Sequence, residues 1–177
     1  MSPLLSVLTS VAAWVATLLT VASLAVIGPA RLRATWGGLR ERIWDARRAV
    51  AVLSVVLLAS AVGRSSLKTV AELFGLEATA LIYGLEGEFV AWIQATFAAP
   101  PLTAYFSWVY VYGYAFLLAF PVVAYLALPR TTTLRRLLVA YALNYGIGLA
   151  LYTAVFAHGP RNVLPDAVTP LLFATRP

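Results

Sequence analysis

The residues with the most evident chemistry lie in the stretch Ala157-His158-Gly159-Pro160-Arg161-Asn162. His158 is the only histidine in the chain, and an imidazole can carry a proton near neutral pH. Arg161 follows three residues later, and its planar guanidinium can form two parallel hydrogen bonds to a phosphate. Both residues can equally be polar side chains at the water boundary of a membrane helix, with no chemical role.

The composition indicates a membrane protein. Hydrophobic residues make up 62% of the 177 residues and charged residues only 11%, and the mean hydropathy is +0.85. A soluble core of this length could not bury so many apolar side chains. The chain has no cysteine, which excludes disulfides, thiolate metal sites and cysteine nucleophiles. We expect no metal site and no cofactor.

Four apolar stretches predict transmembrane helices, at about residues 4–28, 49–63, 102–128 and 137–157. The second is short, because about 15 residues of helix cover about 22 Å of a hydrocarbon core that is about 30 Å thick. Its flanking arginines would have to snorkel, or the helix would have to run longer. The first is predicted to be a retained anchor, because no basic residue precedes it. The sequence therefore predicts one all-α integral membrane domain, residues 1–177, with about four transmembrane helices.

The basic residues are concentrated in two segments between these stretches. Residues 30–48 contain Arg31, Arg33, Arg40, Arg42, Arg47 and Arg48, and residues 129–136 contain Arg130, Arg135 and Arg136. The positive-inside rule predicts that both segments are cytoplasmic loops of a cell-membrane protein, with both termini outside. Their arginines are expected to contact anionic membrane lipids. We expect no nucleic-acid partner, which would require a basic face with aromatic stacking platforms.

Residues 64–101 are predicted to lie on the outer side. Leu85, Phe89, Trp92, Ile93 and Phe97 would share one helical face, which predicts one or two interfacial amphipathic helices within residues 67–98. Gly75, Gly84 and Gly87 are expected to break them into short pieces. These helices can act as a lid or pack against the outer end of the bundle.

Tyrosines mark two further predicted surfaces. Tyr105, Tyr110, Tyr112 and Tyr114 lie in the outer half of the third predicted span and are typical of an aromatic belt at the water boundary. The fourth predicted span places polar side chains close to one face: Tyr141, Asn144, Tyr145 and Tyr152. Because polar groups are costly in lipid, this face should contact protein or water. Interhelical hydrogen bonding and ligand binding both explain it.

Several of these segments resemble a known family. The stretch Tyr110-Val-Tyr-Gly-Tyr114, the helix segment Asn144-Tyr145-Gly-Ile-Gly148, and Gly159-Pro-Arg-Asn162 with Pro165-Asp166 look like the amino-terminal half of a type-2 phosphatidic acid phosphatase superfamily membrane protein. The archaeal branch similar to inositol phosphorylceramide synthases is the nearest in character. The resemblance implies an incomplete six-helix bundle and metal-independent cleavage or transfer of lipid phosphate head groups.

The resemblance also implies what this sequence lacks. The family uses two histidines, one as nucleophile and one as general acid, and this chain has one. No Pro-Ser-x-His element is present, and His158 corresponds to no catalytic position. Arg161 is the phosphate-binding candidate, and His158 and Arg176 are weaker candidates. In the family's basic motif, Arg176-Pro177 would be matched but Thr169 replaces the lysine.

Two functions follow from the sequence as expectations. The first is a truncated or split lipid phosphatase or head-group phosphotransferase, without catalytic residues of its own and inactive alone, whose missing half a second polypeptide would supply. The alternative is a small structural or accessory membrane protein that binds lipid or a partner helix. A transporter or channel is disfavoured, because no charged residue lies within a predicted span.

Overall fold

The computed structural model describes residues 3–159, except for the side chains of residues 3, 4, 6, 64–66 and 68. Almost all of this part of the chain is helical. The α-helices are α1 (Pro3–Ala22), α2 (Pro29–Gly37), α3 (Leu39–Asp45), α4 (Arg47–Phe74), α5 (Thr79–Glu86), α6 (Phe89–Phe97), α7 (Pro100–Trp108), α8 (Tyr114–Leu126) and α9 (Thr132–Ala154). Two π-helical segments, Ser23–Ile27 and Val109–Gly113, continue α1 and join α7 to α8, and two short strands are β1 (Leu76–Glu77) and β2 (Val155–Phe156).

Within residues 3–159, three helical stretches are long and apolar enough to cross a bilayer: Val7–Ile27, Pro100–Leu126 and Thr132–Ala154. They correspond to the first, third and fourth predicted spans. A fourth is possible only if two helices count together, because Leu39–Asp45 and Arg47–Gly63 meet at a bend of 72°. The chain is therefore an all-α protein with helices of the length and composition that a membrane requires.

Pro29 begins α2, directly after the end of the first helical stretch. The first helical stretch stops at Ile27, and Gly28 adopts φ +85°, a backbone conformation that favours glycine. Pro29 then occupies the first turn of α2, where its missing N–H is not needed and its fixed φ suits the helix. Gly28 therefore redirects the chain at the end of the first span.

The arginine-rich segment is helical, whereas the sequence predicted a loop. Residues 29–45 form α2 and α3, which are separated only at Gly38. Neither helix has a long apolar stripe, so the hydrophobic periodicity gave little sign of them. Arginine and leucine nevertheless have high helix propensity, and residues 29–45 contain four arginines and two leucines.

The helix that begins at Arg47 does not end near Gly63, as the sequence suggested, but continues to Phe74. A single glycine costs a helix only about 1 kcal/mol, and good helix formers follow it. The break comes instead at Gly75, whose N–H donates to the carbonyl oxygen of Ala71 at 2.8 Å. The segment from Leu67 to Phe74 is thus part of α4 and does not form a separate interfacial helix.

The region after β1 forms two short helices, α5 and α6. Gly84 lies within α5 and does not break it, whereas Gly87, with φ +54°, separates α5 from α6 as predicted. The apolar residues of α6 are exposed: Phe89, Trp92, Ile93 and Phe97. Phe89 and Trp92 stack with ring centroids 6.1 Å apart. Leu85 belongs to the other helix, so the predicted single stripe is divided between two.

The described helices fold as two compact units. The first unit comprises Met1–Leu58 and Trp108–Tyr145. Its core lies where the bend between α3 and α4 meets the start of α9, and consists of Ala46, Ala49, Leu134 and Leu138. Residues at the end of α8 pack against these four side chains, among them Val122 and Leu126. Small alanines at the bend let α4 and α9 approach closely.

The second unit comprises Ala59–Ser107 and Gly146–Pro177, of which residues up to 159 are described. Within it, β1 and β2 pair in parallel, with Leu76 opposite Val155 and Glu77 opposite Phe156. The N–H of Ala78 also donates to the carbonyl oxygen of Phe156 at 2.8 Å. These bonds hold the end of α9 against the turn between α4 and α5.

Candidate functional site

His158 is held beside the start of α5 in the second unit. Its backbone N–H donates to Oγ1 of Thr79 at 2.9 Å, and its Nδ1 lies 3.5 Å from the same oxygen. The imidazole packs edge-on against Phe156, with ring centroids 4.8 Å apart and planes at 83°. The strand pair therefore fixes the position of the histidine while its side chain stays exposed. The sequence showed no sign of this contact, because Thr79 and His158 are 79 positions apart and share no local pattern.

The surroundings of His158 supply little catalytic machinery. No group of three or more histidine, aspartate or glutamate side chains in the described part of the chain could hold a metal ion. Phosphoryl transfer through histidine needs a nucleophile, an acid and cationic groups around the phosphate. The described residues bring a hydroxyl and an aromatic ring to His158. The other two candidates, Arg161 and Arg176, lie outside the described residues.

The predicted polar face of the fourth span divides in two. The hydroxyl of Tyr141 donates to the carbonyl oxygen of Leu118 at 3.1 Å, and Tyr145 lies beside Tyr114. Both contacts lie in the first unit and join α9 to α8. Asn144 and Tyr152 are exposed, Tyr152 by 47%. Tyr141 thus forms an interhelical hydrogen bond, and Tyr145 packs on the same side of α9 against α8.

An aromatic cluster that the sequence did not indicate joins α1 to the π-helical segment Val109–Gly113. The ring of Trp14 lies 5.6 Å from that of Trp108 and 6.0 Å from that of Tyr112, between centroids. The hydroxyls of Ser10 and Tyr112 are 3.2 Å apart. The three rings thus contact one another, and the third pair, Trp108 and Tyr112, has centroids 5.8 Å apart. Tyr110 and Tyr114 are 78% and 56% exposed.

Arg42, on α3, forms two hydrogen bonds through its side chain. Its Nη1 donates to the carbonyl oxygens of Leu126, at 2.9 Å, and of Leu128. The last carbonyls of a helix have no partner within the helix and carry partial negative charge. Arg42 thus caps the carboxyl end of α8. Nearby in the same unit, the hydroxyl of Thr131 donates to a carboxylate oxygen of Asp45.

A pocket of about 380 Å³ opens beside this cap. It is lined by Arg31, Ala34 and Thr35 of α2, by Arg42 of α3, and by residues 127–129, which follow α8. Thr35 is buried, and its hydroxyl donates to the backbone carbonyl of Arg31 at 2.8 Å. Among the lining side chains, the remaining hydrogen-bond donors are therefore the guanidinium groups of Arg31 and Arg42. Both residues were predicted to be part of a basic segment, but no sequence pattern indicated the pocket.

Most other arginines of the first unit are exposed and have no bonded partner among the described side chains. They are Arg33, Arg40, Arg48, Arg130, Arg135 and Arg136. Arg47 is the exception, because its guanidinium lies 4.8 Å from the ring centroid of Trp44 and donates to the carbonyl oxygen of the same residue at 2.9 Å. Trp36 of α2 and Trp44 of α3 are also exposed, with 78% and 68% of their surface accessible. Exposed arginines and tryptophans beside a span are typical of a membrane–water interface.

In comparisons with known proteins, no family model, no curated protein and no solved structure matches the chain.

Proposed function

We propose that the chain is a multi-pass membrane protein that binds anionic lipid head groups through its arginine-rich helices α2 and α3. The observation that carries this proposal is a set of exposed arginines that have no bonded partner among the described side chains and lie between the end of one candidate span at Ile27 and the first turn of α4. The sequence left open an accessory protein that binds lipid or a partner helix through the face from Tyr141 to Tyr152; this proposal keeps the lipid and places it at the arginines, which the described geometry supports better than catalysis.

Electrostatics and the aromatic residues both favour this placement. A basic side chain near an anionic leaflet contributes about 1 kcal/mol of attraction, which salt weakens. Exposed tryptophans such as Trp36 and Trp44 are stable at the head-group level, where the ring is partly apolar and its N–H is hydrated. The positive-inside rule then orients the protein with α2 and α3 in the cytoplasm and the amino terminus outside. The short apolar helices α5 and α6 would lie in the outer interface.

The test is to purify the protein from vesicles that contain phosphatidylcholine and phosphatidylglycerol and to measure which lipid is retained. We expect enrichment of phosphatidylglycerol over its share of the vesicle. Arg33→Gln, Arg40→Gln and Arg48→Gln together should remove most of the enrichment. The matched control changes the same three residues to lysine, which keeps the charge and should keep the enrichment. A triple glutamine variant that enriches phosphatidylglycerol as strongly as the native protein would refute the proposal.

The second candidate is one half of a lipid phosphatase or head-group phosphotransferase. The sequence resemblance alone motivates it, because His158, which is held beside Thr79, corresponds to no catalytic position of the family. On this proposal the outer face carries the chemistry and Arg161 contacts the phosphate. A second membrane polypeptide with a Pro-Ser-x-His element should then co-purify with the chain and release phosphate from phosphatidic acid. Recovery of the chain without such a polypeptide, and without turnover, would count against this candidate.

A further inference from the structure

The pocket beside Arg42 lies where two candidate spans end in the same unit. The first span ends at Ile27, and α2 starts two residues later. The third span ends at Leu126, and residues 127–129 form the opposite wall of the pocket. In the proposed orientation the pocket would therefore lie at the level of the lipid head groups. Its walls are mostly apolar, with positive charge from Arg31 and Arg42.

Arg42 makes this place suitable for an anion. Without it, the carbonyl oxygens at the end of α8 would present partial negative charge and repel a phosphate. Its Nη1 donates to those oxygens, which leaves the donors on Nη2 and Nε for other partners. One arginine thus neutralises the helix end and still adds a net positive charge to the wall.

Arg31 is the group that is free to hold a ligand. Its side chain is exposed and has no bonded partner among the described residues. Its backbone carbonyl accepts a hydrogen bond from the hydroxyl of Thr35, so the backbone at this turn of α2 is fixed. A guanidinium on a fixed backbone can form two parallel hydrogen bonds to a phosphate.

We infer that the pocket between Arg31, Arg42 and Leu128 binds the phosphate group of one anionic lipid. The guanidinium group of Arg31 donates hydrogen bonds to the phosphate oxygens. The apolar wall at residues 127–129 contacts the lipid carbons nearest the phosphate. This inference rests on the proposed function, because it assigns one lipid to a specific binding site within the surface that attracts anionic lipids in general. Free phosphate could form the same hydrogen bonds, and the experiment below distinguishes it from a lipid.

The experiment measures the dissociation constant of the first bound lipid by native mass spectrometry of the full chain in detergent. Phosphatidic acid is titrated against the native protein and three variants. Arg31→Gln removes the guanidinium group, and Ala34→Phe fills the pocket without changing any charge. Arg33→Gln is the matched control, since Arg33 is an exposed arginine of the same helix that does not line the pocket. Phosphatidylcholine, glycerol phosphate and inorganic phosphate are titrated in parallel.

We expect Arg31→Gln and Ala34→Phe each to weaken phosphatidic acid binding about tenfold or more. Arg31→Gln loses a charge-assisted pair of hydrogen bonds, and Ala34→Phe fills the space that the phosphate would occupy. Arg33→Gln should have a clearly smaller effect. Equal losses of affinity for Arg31→Gln and Arg33→Gln, with no loss for Ala34→Phe, would refute lipid binding in the pocket. That result would still agree with general lipid binding by α2 and α3. No preference of the native protein for phosphatidic acid over phosphatidylcholine would instead overturn the proposed function. Glycerol phosphate or inorganic phosphate binding as tightly as the lipid would overturn the assignment of a lipid.

Discussion

Arg42 donates a hydrogen bond from Nη1 to the carbonyl oxygen of Leu126 across 2.9 Å, although the two residues are 84 positions apart in the chain. The bond ties the arginine-rich helix α3 to the carboxyl end of α8. It satisfies a carbonyl that the helix itself cannot satisfy, and it does so with a charged donor, which gives stronger hydrogen bonds than a neutral one. The relationship gives Arg42 a structural role that the other arginines of the segment do not share.

Arg42→Gln should therefore destabilise the protein more than removal of a neighbouring arginine. We expect a loss of roughly 1–2 kcal/mol, because a charge-assisted bond is lost and the helix end stays partly shielded from water. Reversible unfolding in mixed detergent micelles measures the change. Arg40→Gln is the control, since Arg40 is exposed, and should change the stability by less than about 0.5 kcal/mol. Equal losses for the two variants would mean that the Arg42 cap contributes nothing.

Tyr141→Phe should weaken the packing of α9 on α8. The variant keeps the ring and removes only the hydroxyl that donates to Leu118, and one interhelical hydrogen bond in a membrane protein contributes about 0.6–1.5 kcal/mol. The same unfolding measurement applies. Tyr152→Phe is the matched control on the same helix, because the hydroxyl of Tyr152 has no hydrogen-bond partner among the described residues. A Tyr152→Phe variant as unstable as Tyr141→Phe would contradict this interpretation.

Gly75→Ala should destabilise the turn that follows α4. An added Cβ would press on the carbonyl of Ala71 and lie 3.0 Å from the carbonyl oxygen of Thr153, and neither backbone group can move freely. We expect a cost of about 1–3 kcal/mol, measured by thermal unfolding. Gly84→Ala is the opposite case, because nothing lies within 4 Å of its added Cβ. That variant should be neutral or stabilise α5 by about 0.5–1 kcal/mol, and a loss comparable to that of Gly75→Ala would contradict the geometry.

Thr79→Val should release the segment that ends at His158. The variant keeps the shape of the side chain but removes the oxygen that accepts the His158 N–H. A bond of about 1 kcal/mol corresponds to roughly fivefold faster hydrogen exchange around residues 155–158. Thr96→Val is the control, since the hydroxyl of Thr96 bonds only to the carbonyl of Trp92 in its own helix. Unchanged exchange in Thr79→Val would show that the bond does not hold the segment.

Local properties of the sequence predicted the apolar helices well. Mean hydropathy and length are set by consecutive residues, so the stretches around residues 7–27, 100–126 and 132–154 were found within a few positions. Boundaries that depend on one residue were found less well. Pro29 begins α2 because Gly28 has already turned the chain, and Gly63 does not interrupt α4 because the residues around it favour a helix.

Contacts between distant residues could not be predicted from the sequence. The bonds from Arg42 to Leu126 and from His158 to Thr79, and the packing of Trp14 on Trp108, join positions with no shared periodicity. For the candidate site, the basic segment and the prediction of an anionic lipid partner follow from charge alone, but charge does not show which arginine bonds within the protein and which has no partner among the described residues. The predicted roles of Arg161 and Arg176 lie outside the described residues and stay predictions.

The central proposal is that α2 and α3 lie against anionic lipid, and Trp36 and Trp44 can report on it directly. Quenching of their fluorescence by brominated phosphatidylglycerol and by brominated phosphatidylcholine gives the relative association of the two lipids. Subtracting the signal of a Trp36→Phe/Trp44→Phe variant isolates these two residues among the five tryptophans. We expect the anionic lipid to be favoured about fivefold or more at low salt, with the preference falling as salt is added. Equal quenching by the two lipids at low salt would contradict the proposal.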